Sequence, residues 1–209
     1  MNLFEMRAIV RRDLHDEDVA NYRWSDDEIT HHIVHAVKEL SEAVPREQKA
    51  TVATVSGSRD IDITSLTDRI MVEAVEYPAG RFPKGYQRFS LWENTLTILG
   101  DEIPDGSDCY IYYGKIHTLD ELGSTIPVPL EDLVAAGAAG YAAVEWAAFA
   151  INRVNVGDNS AAEFLAWGKE RLNFFHNELK RLNRRNRVRV RTLFRPYYPF
   201  VSRATDYGP

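Results

Sequence analysis

Cysteine is nearly absent: Cys109 is the single one in 209 residues. No internal disulfide can form, a Cys-based zinc site cannot be assembled, and a reducing cytoplasm is the expected setting. Met1-Asn2-Leu3-Phe4-Glu5 leads straight into charged residues, without the basic and then apolar regions of a signal peptide, so export is not expected. The uncharged run Leu133 to Val144 is 12 residues long, short of the roughly 20 that a bilayer span needs, so no membrane partner is expected. No GxxxxGK[ST], GxGxxG or GxSxG occurs, which leaves nucleotide cradling and a nucleophile elbow without a foothold and implies no cofactor. Acid is scarce in one place only: residues 180–209 hold one Asp or Glu against nine Lys and Arg.

The remainder has the opposite charge. Residues 1–179 carry 30 acids against 16 bases, so an acidic body precedes a basic end, and the overall charge of −6 conceals the division. With 44% hydrophobic and 11% aromatic residues, the chain has the apolar surface to fold a core and is not disordered as a whole.

Periodicity predicts an α+β fold: a helical core of N-terminal helices and two long C-terminal helices, an inserted antiparallel β domain and an extended C-terminal arm. Asn2 with Glu5 forms a capping box before Leu3, Met6, Val10 and Leu14, predicting a helix over 3–14. His15 to Tyr22 lacks a period and reads as a loop. Ser25 with Glu28 is a second capping box, and Ile29, Ile33, Val37, Leu40 and Val44 form the buried stripe of a helix over 26–43 before Pro45.

From 51 to 115 the period becomes two. Runs at Thr51–Ser56, Ile61–Ile63, Ile70–Tyr77, Tyr86–Trp92, Thr95–Leu99 and Asp108–Gly114 predict an antiparallel meander, with a hairpin turning at Glu93-Asn94. The helical period returns in an alanine-rich helix over 130–153. Its Gly137 and Gly140, with Tyr141, are candidates for close packing against another helix of the chain or against a neighbouring subunit. Asn155–Asn159 reads as a turn, and Ser160 with Glu163 as a third capping box. A helix over 160–183 then follows, its stripe being Phe164, Trp167, Arg171, Phe175, Leu179 and Leu182.

Residues 1–183 thus form the body and 184–209 the arm. The arm alternates Arg184, Arg185, Arg187, Val188, Arg189, Val190 and Arg191, then adds Leu193, Phe194, Arg195, Tyr197, Tyr198 and Phe200. Arg and Val in alternation suit an edge-adding strand with one charged and one apolar face, and so a protein partner with acidic side chains. Phosphate contact with nucleic acid is the alternative, and an intramolecular strand closing the chain's own sheet remains open.

Other candidate chemistry is sparse. His31, His32 and His35 make an HHxxH group with metal-chelating spacing, but the Glu of a metalloprotease motif is replaced by histidine, and a solvated helix face accounts for them. Asp13, Asp16, Glu17 and Asp18 offer oxygen ligands but lack the Gly and closing Glu of an EF-hand. Cys109 reads as a buried, inert thiol. No nucleophile–base constellation is visible, so a non-enzymatic protein is expected.

Two stretches carry a resemblance. Val10-Arg11-Arg12-Asp13-Leu14-His15-Asp16, followed by Asn21-Tyr22-Arg23-Trp24-Ser25-Asp26-Asp27-Glu28-Ile29, resembles the opening of head-to-tail connector (adaptor, or neck) proteins of tailed bacteriophages. The order of the later elements and the arm's Asn186-Arg187-Val188-Arg189-Val190-Arg191 resemble them too. The resemblance implies a virion structural protein of the neck, made in the host cytoplasm. Its subunits would assemble as a ring, typically of twelve, between the portal protein and the tail or nozzle protein. DNA would pass through the ring without sequence-specific binding. Lys180 to Phe200 would then grip the portal or an adjacent subunit, and the helix around Gly137 and Gly140 would be a candidate for subunit packing.

Overall fold

A computed structural model describes residues 1–100, 103–151 and 160–192, with side chains described as far as Arg187 apart from those of Ile151 and Ser160. The fold is mixed α+β. The chain forms two compact units, a helical one from Met1–Arg46 and Lys115–Arg184 and a β unit that contains Glu47–Gly114.

Four helices build the helical unit. Helix α1 (Leu3–Asp13) starts at the Asn2/Glu5 capping box and α2 (Asp26–Ala43) at the Ser25/Glu28 box, both complete with reciprocal hydrogen bonds. The intervening loop holds one turn of 3-10 helix at Val19–Asn21, capped by the Asp18 carboxylate. Helix α3 spans Val128–Ile151 and admits Pro129 in its first turn, where the missing N–H costs nothing.

Length and composition alone would let Val128–Ala150 cross a bilayer, contrary to the expectation drawn from its short uncharged run. However, 67% of its most apolar window is buried within the fold. Ala135, Ala138, Ala139, Ala142 and Ala143 share one core with Met6 and Val10 of α1 and Ile29, Ile33, Val37 and Leu40 of α2. The small side chains serve close packing, and α3 is the central helix of that core.

Helix α4 (Ser160–Thr192) corrects the reading of the C-terminus, because helical backbone continues nine residues beyond Asn183. Arg is a good helix former, and the Arg-rich run contains no Gly or Pro before Pro196, so the helix has no local reason to stop at 183. Arg184, Arg185, Arg187, Val188, Arg189, Val190 and Arg191 therefore lie on a helix, not on an extended strand. The side chains from Val188 onward, and Leu193, Phe194, Arg195, Tyr197, Tyr198 and Phe200 altogether, lie outside the described residues. So do the turn expected at Asn155–Asn159 and the cap expected at Ser160.

The β unit holds two antiparallel sheets in place of a single meander. Strands β1 (Arg46–Ala53), β3 (Arg69–Glu76), β4 (Tyr86–Gln87) and β7 (Asp108–Lys115) form one in the order β1-β7-β3-β4. Strands β2 (Asp60–Asp62), β5 (Phe89–Trp92) and β6 (Thr95–Ile98) form the other in the order β2-β6-β5. The run expected as one strand over 86–92 is broken at Arg88, so that Gln87 pairs with Val75 in the first sheet and Phe89 with Ile98 in the second. The hairpin turns at Glu93-Asn94 as the sequence predicts, with Glu93 in the left-handed region at φ 53°. β1 begins five residues before the expected Thr51. As an edge strand it tolerates the charged Glu47 and Lys49 on its exposed side. Ile61, Ile63, Val75, Leu96, Ile98, Cys109 and Ile111 form a core of their own.

Candidate functional site

The two N-terminal segments, Val10–Asp16 and Asn21–Ile29, meet at one side chain. The Arg11 guanidinium, buried at the end of α1, donates to Asp16 Oδ2 at 2.5 Å, to the Trp24 carbonyl at 2.9 Å and to Asp26 Oδ1 at 2.8 Å, and lies 3.6 Å from the centre of the Tyr22 ring. Asp16 also accepts the Arg23 N–H at 2.6 Å. Only a planar, multi-donor cation can satisfy so many acceptors at once. The acidic loop is therefore occupied from within: Asp16 holds Arg11, Asp18 caps the 3-10 turn, and the hydrogen bonds from Asn21 and Ala20 keep Asp18 below the usual carboxylate range. Next to this linkage the Arg23 guanidinium sits 4.4 Å from the Trp146 ring and 4.9 Å from the Phe164 ring, tying the loop to α3 and α4.

The glycines proposed for subunit packing are used inside the chain. A Cβ on Gly137 would stand 3.0 Å from the Phe175 ring, and one on Gly140 would stand 3.0 Å from Leu172, both on α4. Tyr141 is likewise engaged. Its hydroxyl donates to Glu39 Oε2 at 2.9 Å and lies 3.1 Å from His176 Nε2, and its ring stacks on His35 at 4.4 Å. Burial first, and then the bond to Glu39, pushes the Tyr141 hydroxyl pKa upward. This face of α3 packs against α2 and α4 because its glycines let α4 approach, so of the two kinds of partner the sequence offers, the contacts seen are with helices of the same chain.

The histidine group departs from a simple solvated face. His31 and His35 are exposed, whereas His32 is buried with its Nε2 2.9 Å from Glu145 Oε2, and burial lowers its pKa despite that partner. Among the described residues, no three His, Cys, Asp or Glu side chains converge as a bound metal would require. In the β unit Cys109 is fully buried and its thiol is pushed up to about 11, chiefly by desolvation. Buried Glu76 was not legible as special in its strand. It accepts the Tyr112 hydroxyl at 2.7 Å and the Gly80 N–H at 3.1 Å, with Lys84 Nζ at 3.6 Å, and so pins the loop that follows β3.

The cationic end of α4 is what stays outward. Lys180, Arg181, Arg184, Arg185 and Arg187 are exposed, while Leu179 and Leu182 of the same turns pack into the helical core. Arg181 pairs with Glu178 at 2.7 Å. Arg184, Arg185 and Arg187 make no ion pair among the described residues. Helical spacing puts Arg184 beside Arg187, and Arg181 beside Arg185, so like charges crowd along the helix instead of alternating with valine across a strand. Such crowding destabilises an isolated helix and is relieved by an anionic surface. No protein-family model matches this chain, and no curated protein sequence matches it.

Proposed function

We propose that this chain is a virion structural protein: a head-to-tail adaptor that forms a ring, docks onto a portal protein by its cationic C-terminal segment, and receives the tail or nozzle on its other side. The resemblance of the N-terminal run and of the arm supplies the family. The observation that carries the docking is the row Arg184, Arg185 and Arg187, exposed and without acidic partners among the described residues, on a helix that continues past the last residue of the helical unit. An acidic body suits a conduit for DNA, because like charge keeps the passing duplex from adhering. In this reading the protein has no catalytic role and sits in the virion neck.

Deleting Arg184–Pro209 tests it. Phe175, Leu179 and Leu182 remain, so the helical core is retained. The truncated protein is expected to fold and to fail to join portal complexes, and retained joining would overturn the docking role.

The helical form of the arm favours a second reading, contact with nucleic-acid phosphate, more than an Arg-Val strand would. Seven Lys and Arg lie between Lys180 and Thr192 with no acid among them. Titrating duplex DNA at two salt concentrations decides this: affinity falling steeply with salt supports it, and no measurable binding at low salt removes it.

A further inference from the structure

His117 sits just after β7, its residue 5% exposed, with an oxygen acceptor before each ring nitrogen. Nε2 lies 3.0 Å from the Val44 carbonyl oxygen, and Nδ1 lies 2.8 Å from the Thr125 carbonyl oxygen and 3.2 Å from Thr125 Oγ1. Carbonyl oxygens only accept, and a neutral imidazole has one N–H, so it cannot donate to both carbonyls. The imidazolium can. Of the two neutral tautomers only the Nε2–H form gives both nitrogens a partner: Nε2–H donates to Val44, and the Thr125 hydroxyl turns to donate to Nδ1, whose lone pair still faces the Thr125 carbonyl.

We infer that His117 is a proton-controlled clasp whose protonation exchanges its Thr125 partner, from the hydroxyl in the neutral ring to the backbone carbonyl in the charged ring. In the charged state the Thr125 hydroxyl is released toward the Thr118 carbonyl, 3.5 Å away. The clasp is anchored on both sides. The His117 N–H donates to Ser41 Oγ at 2.9 Å, Ser41 Oγ donates to the Val37 carbonyl at 2.6 Å, and Thr125 Oγ1 accepts the Thr118 N–H at 2.9 Å. The ring therefore joins the end of α2 to the 118–125 hairpin, closed by the Leu119–Ser124 bridge, in both states, and protonation changes the Thr125 group that completes the join.

The groups facing the ring are few. Helix α2 and its end present Ser41 and Val44, and the hairpin presents Thr118 and Thr125, all uncharged. The charged group acting on the ring is the Arg46 guanidinium at the start of β1, which opposes protonation. Burial opposes it more strongly, and the two carbonyls favour it; the net direction is downward from the ordinary value of 6.5. The switch thus operates on the acid side of neutrality.

Nitrogen-15 NMR of the full chain's histidine rings from pH 8 to pH 5 tests this, with the His117 signals assigned by their absence in His117→Asn. Nε2 is expected to carry the proton at pH 8, with Nδ1 gaining one on titration. Thr125→Val removes the hydroxyl but keeps the carbonyl, so it deprives only the neutral ring of a donor. It is expected to raise the His117 midpoint by about half to one pH unit, the worth of one neutral hydrogen bond. A midpoint that stays or falls in Thr125→Val overturns the exchange. So does a wild-type ring with Nδ1 already protonated at pH 8, a readout that does not depend on Thr125→Val.

Discussion

The carbonyl oxygen of Gly140 on α3 lies 3.0 Å from the point where a Cβ on Gly168 of α4 would stand. That point is also 2.9 Å from Val144 Cγ2 and 3.1 Å from Ala143 Cβ. The two helices cross where neither can accept another carbon, and the oxygen belongs to a backbone that cannot rotate aside.

Gly168→Ala separates packing from propensity. Alanine gains about 1 kcal/mol of helix preference, yet the new methyl must push α4 off α3, and overpacking of this kind costs about 1–3 kcal/mol. Net destabilisation is expected in urea unfolding. Gly123→Ala, whose Cβ would meet nothing within 4 Å, is the control and is expected to stay within about 0.5 kcal/mol of the parent. A Gly168→Ala protein more stable than the parent would refute the close crossing.

Arg11→Met is expected to be far more harmful than its surface-charge count suggests. It leaves the Asp16 carboxylate, 5% exposed, without its cation, and breaking one side of a buried pair costs about 3–5 kcal/mol. Asp16→Asn keeps one oxygen, enough for either Arg11 or the Arg23 N–H but not both, and should still cost less because it leaves no buried charge unpaired and Arg11 retains the Trp24 carbonyl and Asp26. Denaturation of the two variants side by side, with Arg12→Met as an exposed comparison, checks the order.

Stability should fall as pH drops below about 6.5, in part through His32. Its native pKa is depressed, so the unfolded chain binds more protons in the window below the ordinary value of 6.5, and protonation favours unfolding there. Above that value the contribution is complete. His32→Gln should flatten the stability–pH curve between pH 7.5 and 5, and an unchanged slope would remove His32 as a cause.

Cys109 should resist alkylation in the native protein. With the thiol fully buried and pushed up to about 11, hardly any thiolate exists at pH 8. Thiol titration is expected to show slow reaction in buffer and prompt, stoichiometric reaction in denaturant. Fast native labelling would contradict the burial.

What was legible in the sequence was local. Asn2/Glu5 and Ser25/Glu28 announce helix starts because both partners of each box lie within one turn, and Glu93-Asn94 announces a hairpin because a two-residue turn lies between alternating runs. The end of α4 was misread because Arg184 to Arg191 fits either period: alternation suits a strand, yet every Arg is also a good helix residue. The break at Arg88 and the two-sheet order depend on which distant strands pair. Asp16 and Glu76 were equally hidden, since a carboxylate's burial is decided by Arg11 in one case and by Tyr112, 36 residues away, in the other. Gly137, Gly140 and Tyr141 stood out as packing candidates because small residues invite a close neighbour, but sequence could not say that α4 and α2 of the same chain would fill that place.

The β unit is bounded by the start of β1 and the finish of β7, antiparallel neighbours in one sheet, so the chain departs at Arg46 and returns at Lys115 over a gap of about one strand spacing, near 5 Å. A short turn could bridge that gap. Exchanging the inserted region for a short turn is thus expected to leave the bundle that hosts it folded, with circular dichroism as the check.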